Sequence, residues 1–438
     1  MNKINIYIPI EDELRETYSK IYLACFLADK GYKVYVMKNY LLPKFKWEEG
    51  IILGKNHLHV SALSKKTRKN YSFVLIEEEG ADAIGDLERR INKVFGRVNH
   101  AVSENAATII TQWGKWQAKA AETFFKISVK ITGSLYIEVC KEKYNRNFKE
   151  LNNFITKGYD DYILINTRFA LINCNYAPHV SVANKNPDFA YDKANPDYWR
   201  NLTSNQMLLL GSFITLIQKI GDEFKNKTIV LRPHPGENID FYKELFKDYK
   251  NIVVENEGFV LFWIRNARCI ITNGCTTSLQ AEVAHKPVIN YVPTYNVAMS
   301  DFSLFDDIGS RVNSIDGVIR DIHKTYNNDF TNFNIGLWQD KEETFSLRLN
   351  FFEKILDIIF EESNKIKATD NNLKNSYFNI KLYELKLKIK QLLKIDKKFK
   401  DNDLQNFSVY YEGIRKNFKD NLRANKIFEN CYCIETEK

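Results

Sequence analysis

Short apolar runs that read as strands alternate with helical spacings twice along this chain, and that alternation leaves few folds open. In the first half the strand-like runs are Ile4–Ile8, Tyr32–Met37, Ile51–Leu53, Phe73–Ile76 and Ser128–Thr132. Between them, Tyr18–Lys30 places Ile21, Cys25 and Ala28 on one helical face and stops at Gly31, and Ala106–Ala121 also reads as a helix. A polar, Lys/Asn-rich stretch over 140–160 interrupts the pattern, which then restarts. Strands are expected at Tyr162–Asn166, Thr228–Leu231, Asn251–Val254, Cys269–Thr272 and Pro287–Tyr291. Helices are expected at Met207–Phe224, Val260–Asn266 and Thr276–Ala284. A strand, helix, strand succession of this kind implies a mainly parallel sheet covered by helices on both faces. The reading is therefore α/β, with two doubly wound Rossmann-like domains, residues 1–150 and 151–362.

The remaining residues, 363–438, differ in character and are expected to form a basic helical tail. An apolar helix over Glu342–Glu362 precedes it. Residues Lys381–Lys400 carry eight lysines with Leu382, Leu385, Ile389 and Leu392 at coiled-coil-like spacing. With 438 residues and a net charge of +8, the chain suits a phosphate-bearing ligand or an anionic surface. No nucleic-acid-binding module is recognisable, so such a partner is not expected. Seven dispersed cysteines match neither a zinc site nor a disulfide framework and fit a reducing cytoplasm. No apolar run is long enough to span a bilayer. The expected location is cytoplasmic, peripheral to the inner membrane face if the lysine-rich tail lies on it; the same tail would otherwise pair as a coiled coil.

Three segments carry chemistry. In Leu231-Arg232-Pro233-His234-Pro235 a strand ends sharply at two prolines, leaving Arg232 and His234 at its carboxyl edge, where open α/β sheets bind ligands. Arg232 offers a planar fork for phosphate oxygens, and His234 a donor or a proton shuttle. In Thr272-Asn273-Gly274-Cys275-Thr276-Thr277-Ser278 a strand meets Asn-Gly and then a hydroxyl-rich helix start, a ready anion site, which ordinary N-capping would also explain. Glu282 on that helix is placed either on a ribose hydroxyl or in solvent. In Ile76-Glu77-Glu78-Glu79-Gly80 three carboxylates crowd a strand end; such crowding raises one pKa and suits a general base, although an acidic run is also commonly just solvated. No P-loop, G-x-G-x-x-G, H-E-x-x-H or G-x-S-x-G motif is present, so neither a metal nor a cofactor is expected.

The pairing of an acidic-acidic-Gly turn with an HP turn and a Ser/Thr loop resembles the bacterial sialyltransferase-like and Kdo-transferase-like glycosyltransferases, and the wider group of surface carbohydrate biosynthesis proteins. Ile8-Pro9, Arg15-Glu16, Val129–Gly133, Ile163–Thr167 and Arg232–Pro235 carry that likeness over roughly residues 1–360. The resemblance implies a GT-B fold, two Rossmann-like domains facing across a cleft. It also implies an inverting, metal-independent transfer of an acidic ulosonic sugar, nonulosonic or Kdo, from a CMP donor to a glycan or lipid-linked acceptor. Glu78 or Glu79 would be the base. His234, Thr276 and Thr277 would hold the donor phosphate, with Arg232, Pro235, Asn273, Gly274, Ser278 and Glu282 around them. The chain departs from the pattern by having three glutamates before Gly80 and Thr-Thr-Ser where a pair is usual. Three other readings remain open: a CDP-polyol phosphotransferase of teichoic-acid type, a UDP-sugar 2-epimerase-like enzyme, and a non-catalytic scaffold.

Overall fold

The computed structural model describes residues 4–44, 48–55, 71–78, 108–144, 149–174, 196–293, 308–331, 345–366 and most of 404–436. The chain divides into two compact units. Unit 1 comprises Met1–Val139, Lys143–Leu151 and Leu337–Lys438; unit 2 comprises Cys140–Glu142 and Asn152–Gly336.

Unit 1 is built on an eight-stranded sheet in the order β13-β14-β2-β1-β3-β4-β5-β6. Its strands are β1 (Asn5–Ile10), β2 (Lys33–Lys38), β3 (Gly50–Gly54), β4 (Tyr71–Leu75), β5 (Ile109–Gln112), β6 (Ser128–Ile131), β13 (Leu422–Phe428) and β14 (Cys431–Thr436). The six strands β1 to β6 are mutually parallel. Helix Glu13–Asp29 starts where Asp12 accepts the N–H groups of Leu14 and Arg15, earlier than its apolar spacing indicated. Gly50 permits close pairing of β3 with β1, since a Cβ there would sit 2.3 Å from the Asn5 carbonyl oxygen.

Two expectations are corrected in this unit. Ala106–Ala121 is not one helix: the β-branched run Ile109-Ile110-Thr111 forms β5, and a helix begins only after Gly114, over Lys115–Phe124. The chain end is not helical throughout. After helix Phe407–Arg415, β13 and β14 form an antiparallel hairpin whose second strand pairs with β2. The hairpin covers what would otherwise be an open sheet edge. It also buries Cys431 and Cys433 in the cluster of Tyr7, Tyr35, Met37 and Phe73. Burial pushes both thiols up, Cys433 to about 12, as expected of apolar packing residues rather than reactive ones. The apolar helix before the tail runs over Phe351–Ser363, capped by Asn350, and belongs to unit 1. The lysine-rich segment Lys381–Lys400 lies outside the described residues. Among the described residues no helix is long and apolar enough to cross a membrane.

Unit 2 is a six-stranded, all-parallel sheet in the order β12-β11-β10-β7-β8-β9. The strands are β7 (Tyr162–Asn166), β8 (Ile229–Arg232), β9 (Ile252–Val254), β10 (Ala267–Thr272), β11 (Val288–Tyr291) and β12 (Ser310–Val312). Alternation sorts their side chains onto two faces. Ile163, Ile165, Ile229, Leu231, Cys269, Ile271 and Ile289 join a core with Phe213, Leu216 and Ile217 of helix Pro196–Glu223 and Val318 and Ile322 of helix Ile315–Tyr326. The opposite face meets helices Val260–Asn266 and Thr276–Val283. Two Rossmann-like sheets clad in helices are thus present.

Candidate functional site

Chain order singles out one edge of the unit 2 sheet as the candidate site. From β7 the chain adds β8 and β9 on one side, then crosses to add β10, β11 and β12 on the other. The reversal between β7 and β10 parts the connections beyond their carboxyl ends, and open α/β sheets bind ligands at that point. Three loops meet there: the one after β7 (Thr167–Cys174), the Pro233–Glu237 turn after β8, and Asn273–Cys275 after β10. Arg168 spans the reversal, donating Nη1–H to the Gly274 carbonyl at 3.1 Å.

Glu237, which the sequence reading passed over, binds the first two loops together. Its Oε1 accepts the His234 backbone N–H at 3.0 Å and the Thr167 hydroxyl at 2.9 Å, and its Oε2 accepts the Tyr242 hydroxyl at 2.7 Å. Glu237 is only 2% exposed. Burial pushes its pKa up, opposed by donors that include the Phe169 N–H. Asn238 adds a backbone bond to Asn173. The turn also fixes the imidazole. Gly236 donates its N–H to His234 Nδ1 at 3.1 Å, so Nδ1 carries a lone pair and the ring proton of the neutral side chain sits on Nε2. A Cβ at Gly236 would lie 3.3 Å from that same nitrogen. His234 is half-buried, as is Pro235 beside it.

Several expected phosphate ligands are turned inward. Arg232, on β8, gives its fork to the protein: Nη1–H reaches the Glu257 carbonyl at 2.9 Å and Nη2–H the Gly258 carbonyl at 2.5 Å, with the guanidinium over Trp263. It braces the loop after β9, because a buried guanidinium must be matched by acceptors. Ser278 is fully buried in a network with Thr272 and Asn290. Asn290 Oδ1 also accepts the Gly274 N–H, and its Nδ2–H goes to the Ile308 carbonyl. These bonds shape the β10 loop, with Gly274 at φ +75°. Helix Thr276–Val283 then opens without a side-chain cap. Its start therefore presents the amides of Thr276 and Thr277, the arrangement that binds anions. Thr276 and Thr277 are half-buried. The Thr277 hydroxyl and Asn273 Oδ1 are buried without a hydrogen-bond partner among the described residues. Glu282 is buried.

Unit 1 has its own reversal, between β1 and β3, and there lies a cluster of buried charge. Glu16 and Lys20 share a face of the first helix at i, i+4 spacing. Lys20 Nζ contacts Glu16 Oε2 at 2.7 Å, Glu78 Oε1 at 3.0 Å and the Pro9 carbonyl at 2.9 Å. Lys55, just past β3, lies 3.3 Å from Glu16 and 3.7 Å from Glu78. Tyr136, on the short helix Leu135–Glu138 after Gly133, donates to Glu78 Oε2 at 2.7 Å. Two carboxylates thus face two ammoniums. Burial alone would push Glu16 up, but Lys20 and Lys55 outweigh it and bring its pKa down to about 2. At Glu78, burial and repulsion from Glu16 win, and its pKa is raised. One Glu78 oxygen faces Lys20 and the other Tyr136 and Lys55, so the carboxylate ties the end of β4 to the first helix and to Leu135–Glu138. Glu79 lies outside the described residues.

No family model matches the chain, and no curated protein matches it. Among solved structures it is similar to UDP-GlcNAc 2-epimerase of Methanocaldococcus jannaschii in complex with UDP-GlcNAc and UDP, at 12% identity and a TM-score of 0.46 over 82% of this chain and 100% of that one. It is similar also to UDP-N-acetylglucosamine 2-epimerase of Rickettsia bellii, at 17% identity and a TM-score of 0.47 over 84% and 99%. A third similar structure is the wall teichoic acid polymerase TagF, at 11% identity and a TM-score of 0.45 over 82% and 89%.

Proposed function

We propose that this chain is an inverting glycosyltransferase that takes an acidic ulosonic sugar from a CMP donor to a glycan hydroxyl. The observation that carries the reading is the His234 turn: a strand-end histidine at the reversal of a parallel sheet, braced by Glu237, with its ring proton held on Nε2. An oriented donor at that place suits a leaving phosphate. The acceptor oxygen attacks the anomeric carbon, and the bond from that carbon to the CMP phosphate breaks. The electron pair passes to the phosphate oxygen, where His234 Nε2–H and the amides of Thr276 and Thr277 stabilise the charge. The acceptor proton goes to a carboxylate of the Glu78-Glu79 pair. With Glu78 held by Lys20 and Tyr136, that role falls to Glu79.

Thermal shift and calorimetric titration with CMP, CDP and UDP, followed by product analysis with several CMP-sugars, test the proposal. CMP is expected to stabilise the protein most, since a ligand bound only by the folded state raises its apparent stability. Glu79→Gln is expected to abolish transfer while CMP still binds. Stabilisation by UDP or CDP but not CMP, or full transfer by the Glu79→Gln variant, overturns it.

A further inference from the structure

The carboxyl ends of four strands in unit 2 place one polar residue each at the same level. Asn290 on β11 is level with Thr272 on β10, Ile271 is level with Ile165, and Asn166 on β7 is level with Arg232 on β8. The row therefore runs Asn290, Thr272, Asn166, Arg232. All four alternate with core residues of the opposite face, so they share the face covered by helices Val260–Asn266 and Thr276–Val283.

Three members of the row are matched by protein groups. Asn290 and Thr272 bond each other and the β10 loop, and Arg232 bonds the carbonyls of Glu257 and Gly258. Asn166 differs. It is 4% exposed, yet neither its Nδ2 nor its Oδ1 has a hydrogen-bond partner among the described residues. A buried carboxamide with both ends unmet is costly and uncommon, and it calls for an explanation. Asn166 ends β7, the strand at which the sheet order reverses. In the sheet it is flanked by Thr272, whose strand leads into the Thr276 helix, and by Arg232 on β8. Thr277 Oγ1 and Asn273 Oδ1, from the same loop, are also buried and unmatched. A helix N-terminus after one flanking strand and a guanidinium on the other contribute positive potential, which favours an anionic partner.

We infer that Asn166 is a ligand contact: its Nδ2–H binds an oxygen of the nucleotide's phosphate, and its Oδ1 accepts a hydroxyl of the same molecule. This rests on the reading of unit 2 as a nucleotide site and adds to it a neutral residue that reads the phosphate from the floor of the sheet. The β7 strand then contributes directly to binding, besides carrying the Thr167 and Arg168 ties.

Calorimetric titration of the full chain with CMP, and with cytidine as the phosphate-free probe, tests the assignment on Asn166→Ala, Asn166→Asp and Asn166→Leu. A hydrogen bond to a charged group predicts CMP binding weaker by roughly tenfold to a hundredfold in Asn166→Ala. Cytidine, which offers only the hydroxyl to Asn166, is expected to lose less affinity than CMP in the same variant. Asn166→Asp sets a carboxylate against the phosphate and is expected to bind CMP more weakly still. The apo melting temperature of Asn166→Leu is expected to be unchanged or raised, because an unmatched buried amide is replaced by an apolar group of similar size. A structural role predicts the reverse, a lower apo melting temperature with CMP affinity intact, and overturns the inference. Wild-type CMP binding in Asn166→Ala also overturns it while leaving the nucleotide site standing. CMP binding in Asn166→Asp tighter than in Asn166→Ala overturns the phosphate assignment. A wild-type protein that binds no nucleotide removes the functional reading and this inference together.

Discussion

Glu237→Leu and Glu237→Gln separate the bracing of the His234 turn from its mere presence. In the leucine variant the His234 and Phe169 N–H groups and the Thr167 and Tyr242 hydroxyls lose a buried carboxylate. Four orphaned donors at about 1 to 3 kcal/mol each would sum to roughly 4 to 12 kcal/mol. Removing a buried charge that resists ionisation offsets several kcal/mol of that, so a net loss of about 3 to 5 kcal/mol is expected. The glutamine variant keeps one oxygen for His234 and Thr167, and the Tyr242 hydroxyl can rotate to accept the new N–H; a loss of about 1 to 2 kcal/mol follows. Urea unfolding reads the stabilities, and calorimetric titration with CMP reads the site. The leucine variant should bind CMP at least about tenfold more weakly at temperatures where it is still folded, because the imidazole no longer has a fixed backbone beneath it. Wild-type CMP affinity in a folded Glu237→Leu protein would refute the claim that Glu237 positions His234.

Three further outcomes follow from the same contacts. His234→Ala is expected to lower CMP affinity by roughly tenfold to a hundredfold, and His234→Gln, which keeps a side-chain N–H, by less; equal affinity in wild type and His234→Ala would remove the histidine from the site. The depressed pKa of Glu16 gives stability that is present above its ordinary value of 4.5 and is lost as pH falls toward about 2. Urea titrations at pH 5, 4 and 3 should therefore show the stability advantage of wild type over Glu16→Gln shrinking with acid, by on the order of 3 kcal/mol across the full window; a constant difference would contradict the ion cluster. Ending the chain after Asn421 removes β13 and β14, and loss of the buried Leu422, Tyr432 and Ile434 alone costs roughly 5 to 9 kcal/mol at about 1.5 to 3 each. That protein should aggregate or unfold, and an unchanged melting temperature would show that the hairpin contributes little.

The parallel sheets were legible because their strands are short, β-branched and bounded by turn residues, and because alternation with helices restricts the pairing. β7 occupies the residues its apolar run indicated, and β1, β3, β4, β8 and β10 lie within three residues of theirs at either end. What failed was context. The Ile109–Gln112 run looked like the start of the helix that follows, since four residues hold too little periodicity to separate strand from helix. The terminal hairpin pairs with a strand nearly four hundred residues earlier, and no local pattern carries that information. Its alternating Cys431 and Cys433 were the available signal, an inward-facing pair on one strand.

The segments of the candidate site were legible in the sequence but the contacts of their side chains were not, and the reason is electrostatic. Reading a strand end as an anion site directs attention to its charged residues, Arg232 and the glutamate run. Yet a charge at the end of a buried strand is expensive to leave unmatched, so the fold itself supplies carbonyls to Arg232 and ammoniums to Glu78. Those residues become braces. The partners that reveal this, Lys20, Lys55 and Tyr136 for Glu78, or Thr167 and Tyr242 for Glu237, come from separate elements and cannot be read from one motif. Neutral groups meet a weaker form of the same demand, because an unmatched buried amide costs less than an unmatched buried charge. Unmet hydrogen-bonding capacity thus collects on residues such as Asn166 and Thr277, which composition and motif reading pass over. In the phosphate site proposed above, the ligand would then meet an imidazole, helix amides and a carboxamide, while the formal charges hold the loops in register.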